Sequence, residues 1–433
     1  MGRIRQITST IFMVLSAFLL ITIIYLSLQI IEQGKTARLY KNDYAELHSA
    51  QYGMFNSSVW TRKITDIVDK KIENFDLNTN NREEIKGYIE TIIDTLIIEA
   101  DRALREHNKG KRGFFDSILG STKQMITDSI VDINALRKRV PEFTNAVMAE
   151  VEKPENQARA KKVIREKLKQ FMQEKIQDKT DMSLYTAVLE NYKAPDLETC
   201  TTILDTNIQH IAKEINDTMA WILGLSALLI LFIVLQGTLN SISLFLLSGT
   251  TISLLLTGIF LPMLDIEAKI SKLYFTILEH DVIFENQILF FQSKSISDLV
   301  RLLLDSGEAK MILVGVLLVM FSIIFPSLKL IFTYLHFYSR SFLGNNAVTR
   351  FFALRSTKWS MADVMVVSIF MAYLGLDGVV NNELKLLEAR SDPINIITTN
   401  GTHLEVGFFL FLGFVLTSFV LSLLVESARN KKV

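Results

Sequence analysis

Cysteine is almost absent from this chain of 433 residues, because Cys200 is the only one. A single thiol excludes an intramolecular disulfide framework and a zinc site built from several cysteines. The chain also has no excess charge, since 46 basic residues balance 46 acidic ones. This balance indicates neither a nucleic-acid-binding surface nor an acidic tail.

Catalytic motifs are missing as well. The six histidines are scattered without metal-ligand spacing, and neither HExxH nor G-x-S-x-G occurs. No histidine lies close enough to Cys200 in sequence to suggest a nucleophilic pair. We therefore predict that the protein is not an enzyme and that it carries no metal or cofactor.

Apolar residues are abundant, at 49% of the chain against 21% charged. A charge-free run from residue 6 to residue 31 exceeds the ~20 residues that cross a bilayer and is too long for a cleaved signal peptide. Arg3 and Arg5 before it indicate a cytoplasmic N-terminus by the positive-inside rule. Six spans are predicted, at residues 6–31, 220–239, 242–264, 311–332, 361–376 and 406–425.

Residues 32–217 have a different character. Charges of both signs are interspersed there, and apolar residues recur at three- and four-residue spacing. This pattern predicts an amphipathic helical bundle. Within it, a stretch rich in basic residues, glycine and phenylalanine is either a solvated turn between helices or a site for a phosphate or lipid head group. The candidate residues are Lys109, Lys111 and Arg112.

The loop at residues 265–310 contains two further signals. Ile266, Ala268 and Ile270 alternate with polar residues, and a second apolar run begins at Val282, so a small β-hairpin is predicted. Ser295, with an acidic residue three positions later, indicates a capping box at the start of an amphipathic helix that ends at glycine 307.

Two short motifs flank the basic loop between the fourth and fifth spans, and each places an ionisable residue at the loop-side end of a span. Such a residue is costly in hydrocarbon and is a functional candidate. In one interpretation Lys329 extends to head groups, Trp359 lies in the interfacial aromatic belt, and Ser360 with Asp363 caps a helix. In the other, a lipid or partner site is formed by Pro326, Lys329, Trp359, Ser360 and Asp363, with Lys329 and Asp363 meeting near the cytoplasmic interface.

These motifs carry a family resemblance. Residues 325–329 read Phe-Pro-Ser-Leu-Lys and residues 358–364 read Lys-Trp-Ser-Met-Ala-Asp-Val. They resemble the F-P-x-x-K and [RK]-W-S-M-x-D-V signatures of the paraquat-inducible protein A (PqiA) family. The resemblance runs from about residue 242 to residue 426.

The resemblance implies a multi-pass protein of the bacterial inner membrane that acts with MCE-domain proteins, which form periplasmic conduits for lipids. Family members usually begin with cytoplasmic zinc-ribbon cysteines and often carry two copies of the four-span module. This chain has one module, and a membrane-anchored helical domain stands where the zinc ribbon would be.

The predicted fold class is an all-α membrane protein with six transmembrane helices, a periplasmic helical-bundle domain between helices 1 and 2, and a small β-hairpin in the outer loop after helix 3. Six spans bring both termini to the cytoplasm, and the basic loop and the basic tail then lie on that side. The predicted domains are an anchor (1–31), the periplasmic helical domain (32–217), the second span with its turn (218–241), the PqiA-like four-helix module (242–426) and the tail (427–433).

Two functions are expected. The first is an inner-membrane subunit of a lipid-transport or membrane-integrity system of the cell envelope, with membrane phospholipid, a periplasmic MCE-domain protein and further copies of itself as partners, and no nucleic acid. The alternative is a sensory or scaffolding protein with a periplasmic helical input domain. The second span is followed by only a short uncharged turn before the next span, which leaves little room for a signalling output and favours the first function.

Overall fold

The computed structural model describes residues 2–73, 180–236, 239–277, 280–338, 362–389 and 395–430, together with isolated residues between 86 and 166. Its helices are α1 (Gly2–Leu47), α2 (Ser57–Glu73), α3 (Ser183–Asn191), α4 (Leu197–Gln236), α5 (Ser241–Phe260), α6 (Ile296–Asp305), α7 (Ala309–Val319), a π-helix (Met320–Ile324), α8 (Phe325–Tyr338), α9 (Ala362–Ala389) and α10 (Val406–Asn430). Its strands are β1 (Leu264–Ile277), β2 (His280–Lys294), β3 (Asn395–Asn400) and β4 (His403–Leu404).

In the described part of the chain, six helical segments are long and apolar enough to cross a membrane, as predicted. They belong to α1, α4, α5, the α7–π–α8 unit, α9 and α10. The bundle core contains fully buried apolar side chains from α1, α4, α5 and α10, among them Ile23, Ile222, Leu254 and Phe411. The chain is therefore a mostly helical, multi-pass membrane protein.

The first two spans extend far beyond the lengths predicted for them. α1 has 46 residues and α4 has 40, so α1 is roughly 69 Å long at ~1.5 Å per residue, against ~30 Å of hydrocarbon. The two helices pack against each other, and the Thr218 hydroxyl donates to the Gln33 side chain at 3.2 Å. No helix break occurs near residue 31, where the apolar run ends.

The predicted β-hairpin is confirmed and is part of a larger sheet. β1 and β2 pair antiparallel from Leu264 opposite Lys294 to Ile277 opposite His280. β3 and β4, from the loop before the last span, pair with the other edge of β1. The predicted all-α fold with one hairpin is therefore corrected: the fold is mostly helical and contains a four-stranded antiparallel sheet. The difference arises because β1 also pairs with β3 and β4, which are distant in sequence.

The predicted capping box is confirmed. The Ser295 side chain accepts from the Asp298 amide, the Asp298 carboxylate accepts from the Ser295 amide, and α6 follows. Gly307, in the left-handed region at φ 72°, lies in the turn that folds α6 back against α7. Side chains of Leu303 and Leu304 lie close to Gly315 in α7.

The fifth span is longer than predicted, because α9 has 28 residues and continues past Asp377. The sheet stabilises this extension: Val380 is buried against Ala268 of β1, and the Asn400 side-chain amide donates to the Asp377 carboxylate at 2.7 Å. These contacts come from residues far apart in sequence.

Helices α2 and α3 lie at the two ends of the region at residues 32–217. α2 packs on the sheet through Trp60 and Phe284, whose ring centroids are 4.8 Å apart, and α3 lies beside α1. Lys109, Lys111 and Arg112 lie outside the described residues. The placement of this region in the periplasm stays a prediction.

Candidate functional site

Lys329 lies inside the helix bundle. Only 5% of its surface is exposed, and its Nζ donates to Ser422 Oγ at 3.0 Å and to Ser418 Oγ at 3.5 Å. Both serines belong to α10, so the lysine joins the fourth and sixth spans. A lysine that extends to head groups would instead lie along the helix surface.

The depth of Lys329 corrects its expected position at the end of the fourth span. α8 runs from Phe325 to Tyr338, so Lys329 lies in the second turn of this helix rather than in its final turn. Its neighbour Leu330 is 1% exposed and belongs to the main apolar core. Lys329 is therefore placed among the packed helices of the bundle.

Pro326 explains the irregular backbone before the lysine. Proline has no N–H, so an α-helix loses its hydrogen bond to residue 322 at this position. The chain winds here as a π-helix, and the Phe325 N–H donates to the Met320 carbonyl, five residues earlier. Pro326 is buried, and π-turns of this kind recur at functional sites.

The π-helix also contacts the fifth span. Ser322 is buried, and its hydroxyl donates to the Met365 sulfur at 3.4 Å. Asp363 lies in the first turn of α9, but its side chain is outside the described part of the chain, as are Trp359 and Ser360 altogether. The pairing of Lys329 with Asp363 stays a prediction.

Ser418 and Ser422 were not predicted as site residues. They are four positions apart in a largely apolar span, and small hydroxyl residues at helical spacing are typical of contacts between helices in membranes. Ser422 also donates to the Ser418 carbonyl at 2.8 Å. The four-residue spacing of the two serines could have indicated a contact between helices, although it does not reveal which helix they face.

Residues 283–386 match the family model described as PqiA, Paraquat-inducible protein A. This segment contains Pro326, Lys329 and Asp363, and the match confirms the resemblance that the two motifs predicted. It covers about a quarter of the chain. No characterised protein and no solved structure matches.

A second group of charges, which was not predicted, lies where α1 meets the sheet, and all three of its residues are outside the segment that matches the family model. Lys41 Nζ is 2.6 Å from Asp265 Oδ2 and 2.8 Å from Glu405 Oε1. We call these three residues the junction cluster. The Asp265 side chain is 5% exposed, and those of Lys41 and Glu405 are 24% and 23% exposed.

Backbone contacts bring the two carboxylates together. The Glu405 amide donates to the Met263 carbonyl at 2.9 Å, and the Gly407 amide donates to the Pro262 carbonyl at 2.8 Å. The start of the sixth span is thereby fixed against the end of the third. Glycine is needed at 407, since an added Cβ would lie 2.4 Å from the Leu261 carbonyl oxygen.

Burial is the largest influence on the Glu405 carboxyl group of the junction cluster. It raises the pKa of Glu405 to about 7, the nearby Asp265 charge adds to the rise, and Lys41 opposes it. A separate ion pair lies close by, with Arg38 Nη1 2.6 Å from Asp298 Oδ2. Two kinds of polar site thus exist: a lysine with hydroxyls between helices, and a carboxylate pair with a lysine at the base of the sheet.

Proposed function

We propose that this protein is a subunit of a lipid-transport or membrane-integrity system in the bacterial inner membrane, and that Lys329 binds the phosphate of a phospholipid. The observation that carries this proposal is a buried lysine, within the PqiA-like segment, that faces two serine hydroxyls. An ammonium group beside hydroxyl groups suits a phosphodiester anion. In hydrocarbon, a lysine without a functional reason is disfavoured.

The surfaces around the site support access from the lipid phase. Apolar side chains on the outer faces of the fourth and fifth spans are exposed, including Leu313, Ile331, Val367 and Met371. Such faces suit contact with acyl chains. We infer that a phospholipid approaches between the spans, with its head group at Lys329.

The sheet and the ends of α1 and α4 form the proposed docking region for a periplasmic MCE-domain partner. This arrangement requires both termini in the cytoplasm and the sheet outside, as the charge distribution predicts. Cross-linking in native membranes followed by protein identification is the test of the partner. Recovery of an MCE-domain protein is the expected result.

The lipid test uses Lys329→Met with Lys310→Met as the matched control. Lys310 is an exposed lysine in α7, at the start of the same span. Each protein is purified from native membranes, and bound phospholipid per protein is measured by mass spectrometry. We expect a severalfold loss of bound phospholipid in Lys329→Met and no loss in Lys310→Met.

Folding must be separated from binding in that experiment. The melting temperature and the size-exclusion profile of each variant serve this purpose. Equal lipid content in a folded Lys329→Met protein and in the wild type would contradict a phosphate-binding role.

The alternative, a sensory or scaffolding protein, is supported by the long α1–α4 pair. Both helices extend well past the thickness of a bilayer and pack together. A displacement of their outer ends would therefore be carried along the helix pair into the membrane bundle. An adjacent gene for an MCE-domain protein favours lipid handling. An adjacent kinase or response regulator favours the alternative.

A further inference from the structure

We propose that the junction cluster is a proton-binding site, in which Asp265 and Glu405 share one proton beside Lys41. This inference concerns the base of the sheet and is independent of the lipid-binding role proposed for Lys329. The ligand is the proton itself, held between two carboxyl groups.

The charge balance is the first argument. Two carboxylates and one ammonium group leave one negative charge in excess when all three are ionised, and an uncompensated charge in this partly buried cluster is unfavourable. One bound proton brings the cluster to neutrality.

The surrounding elements do not supply a second cation in the described part of the chain. On α1, Arg38 pairs with Asp298 of α6, and on β1, Lys269 pairs with Glu267. On the strands that pair with β1 beside Asp265, Lys294 of β2 lies opposite Leu264, and His403, exposed in β4, lies opposite Asp265. Neither forms an ion pair with Asp265 or Glu405 among the described ion pairs.

A missing hydrogen bond is the second, independent argument. Asp265 Oδ1 is completely buried and has no hydrogen-bond partner, although Oδ2 accepts from Lys41. An unsatisfied buried acceptor is unfavourable. Asp265 Oδ2 and Glu405 Oε1 both accept from Lys41 Nζ, at 2.6 Å and 2.8 Å, so the two carboxyl groups lie close together. Two ionised carboxylates so placed repel each other, whereas a proton held between them removes the repulsion and provides a donor beside Asp265.

Titration near neutrality agrees with this geometry. The pKa of Glu405 is raised from 4.5 to about 7. Between pH 4.5 and about pH 7 the folded protein binds more protons than the unfolded chain. The free energy of unfolding is therefore greatest at the acid end of this pH range and falls as the pH rises through it. The proton therefore strengthens the junction between α1, the sheet and α10.

The first experiment measures thermal unfolding of the full chain in phospholipid nanodiscs from about pH 5 to about pH 8. We expect the melting temperature of the wild type to fall by several degrees across this range. Glu405→Gln should remove this dependence, since glutamine keeps a donor and no charge. Asp265→Asn should move the dependence to lower pH, because Glu405 then pairs with Lys41 alone.

Glu285→Gln is the control variant. Glu285 is exposed on the same sheet and belongs to the exposed pair with Lys272, so the wild-type pH profile should persist. A wild-type melting temperature that is constant over this range, or a profile that Glu405→Gln leaves unchanged, would overturn the proposal.

The second experiment needs no folded variant. Infrared difference spectra of the wild-type protein should show a protonated carboxyl C=O band that disappears as the pH rises through neutrality, and its absence contradicts a shared proton. A last measurement compares the melting temperatures of the wild type and Glu405→Gln at about pH 8 with sodium, with potassium and with neither cation. Stabilisation by a metal cation that Glu405→Gln removes would identify a cation site instead and overturn the assignment to a proton.

Discussion

Gly407 allows the start of the sixth span to pack closely against the end of the third span. Its amide hydrogen bond to Pro262 brings the backbones so close that a Cβ would lie 2.4 Å and 2.5 Å from two carbonyl oxygens. Backbone atoms cannot move aside as a flexible side chain can. We expect Gly407→Ala to destabilise the protein by about 1–3 kcal/mol or more.

The matched control is Gly375→Ala. Gly375 is exposed in α9, and no atom lies within 4 Å of an added Cβ, so alanine should be neutral or stabilising by up to ~1 kcal/mol. The yield of folded protein and the melting temperature measure both variants. Equal behaviour of the two variants would show that the junction tolerates a side chain.

At the scale of elements, α6 depends on its first turn. Ser295 and Asp298 exchange the hydrogen bonds of a capping box, and Asp298 also pairs with Arg38 of α1. Although burial acts in the opposite direction, the hydrogen bonds from Ser295 and the Arg38 charge hold the pKa of Asp298 below its ordinary value. This contribution to stability is present at neutral pH and is lost as the pH falls through the folded-state pKa.

We expect Ser295→Ala to destabilise α6 by about 0.5–2 kcal/mol, because the amide of Asp298 loses its acceptor. Hydrogen exchange in residues 296–305, followed by mass spectrometry, should become faster. Ser306→Ala is the control at the exposed end of the same helix, and it should change exchange little. Unchanged protection in Ser295→Ala would mean that packing against α7 alone maintains the helix.

The whole molecule is arranged with the sheet at one end of the last span and the C-terminal residues at the other. With Cys200 replaced, Glu285→Cys should react with an impermeant thiol reagent added outside the membrane. Ser427→Cys, at an exposed position near the end of α10, should react only after permeabilisation. External labelling of Ser427→Cys would contradict the predicted orientation of six spans with cytoplasmic termini.

The region at residues 32–217 connects to this framework through α1 and α4, which continue from the membrane bundle without a break. α2 and α3 at its two ends contact the sheet and α1. This continuity suits either a docking domain for a partner or the input of a sensor.

The sequence by itself determined the six spans, the hairpin, the capping box and the PqiA-like motifs. Each of these is written in neighbouring residues: an apolar run of sufficient length, alternation along a strand, a serine three positions before an aspartate, or a short signature. Local composition also led to the wrong length for the fifth span, because the polar residues after Leu376 are stabilised as helix by the sheet. The resemblance pointed to Lys329 without showing its surroundings.

Tertiary structure alone decided which distant residues meet. Ser422 faces Lys329, and Lys41 reaches Asp265 and Glu405 over separations of 224 and 364 residues. No local pattern encodes such pairs, since each depends on how helices and strands pack. The burial that raises the pKa of Glu405 and leaves an oxygen of Asp265 without a partner is likewise a property of the assembled fold, because burial arises only when the surrounding elements exclude water.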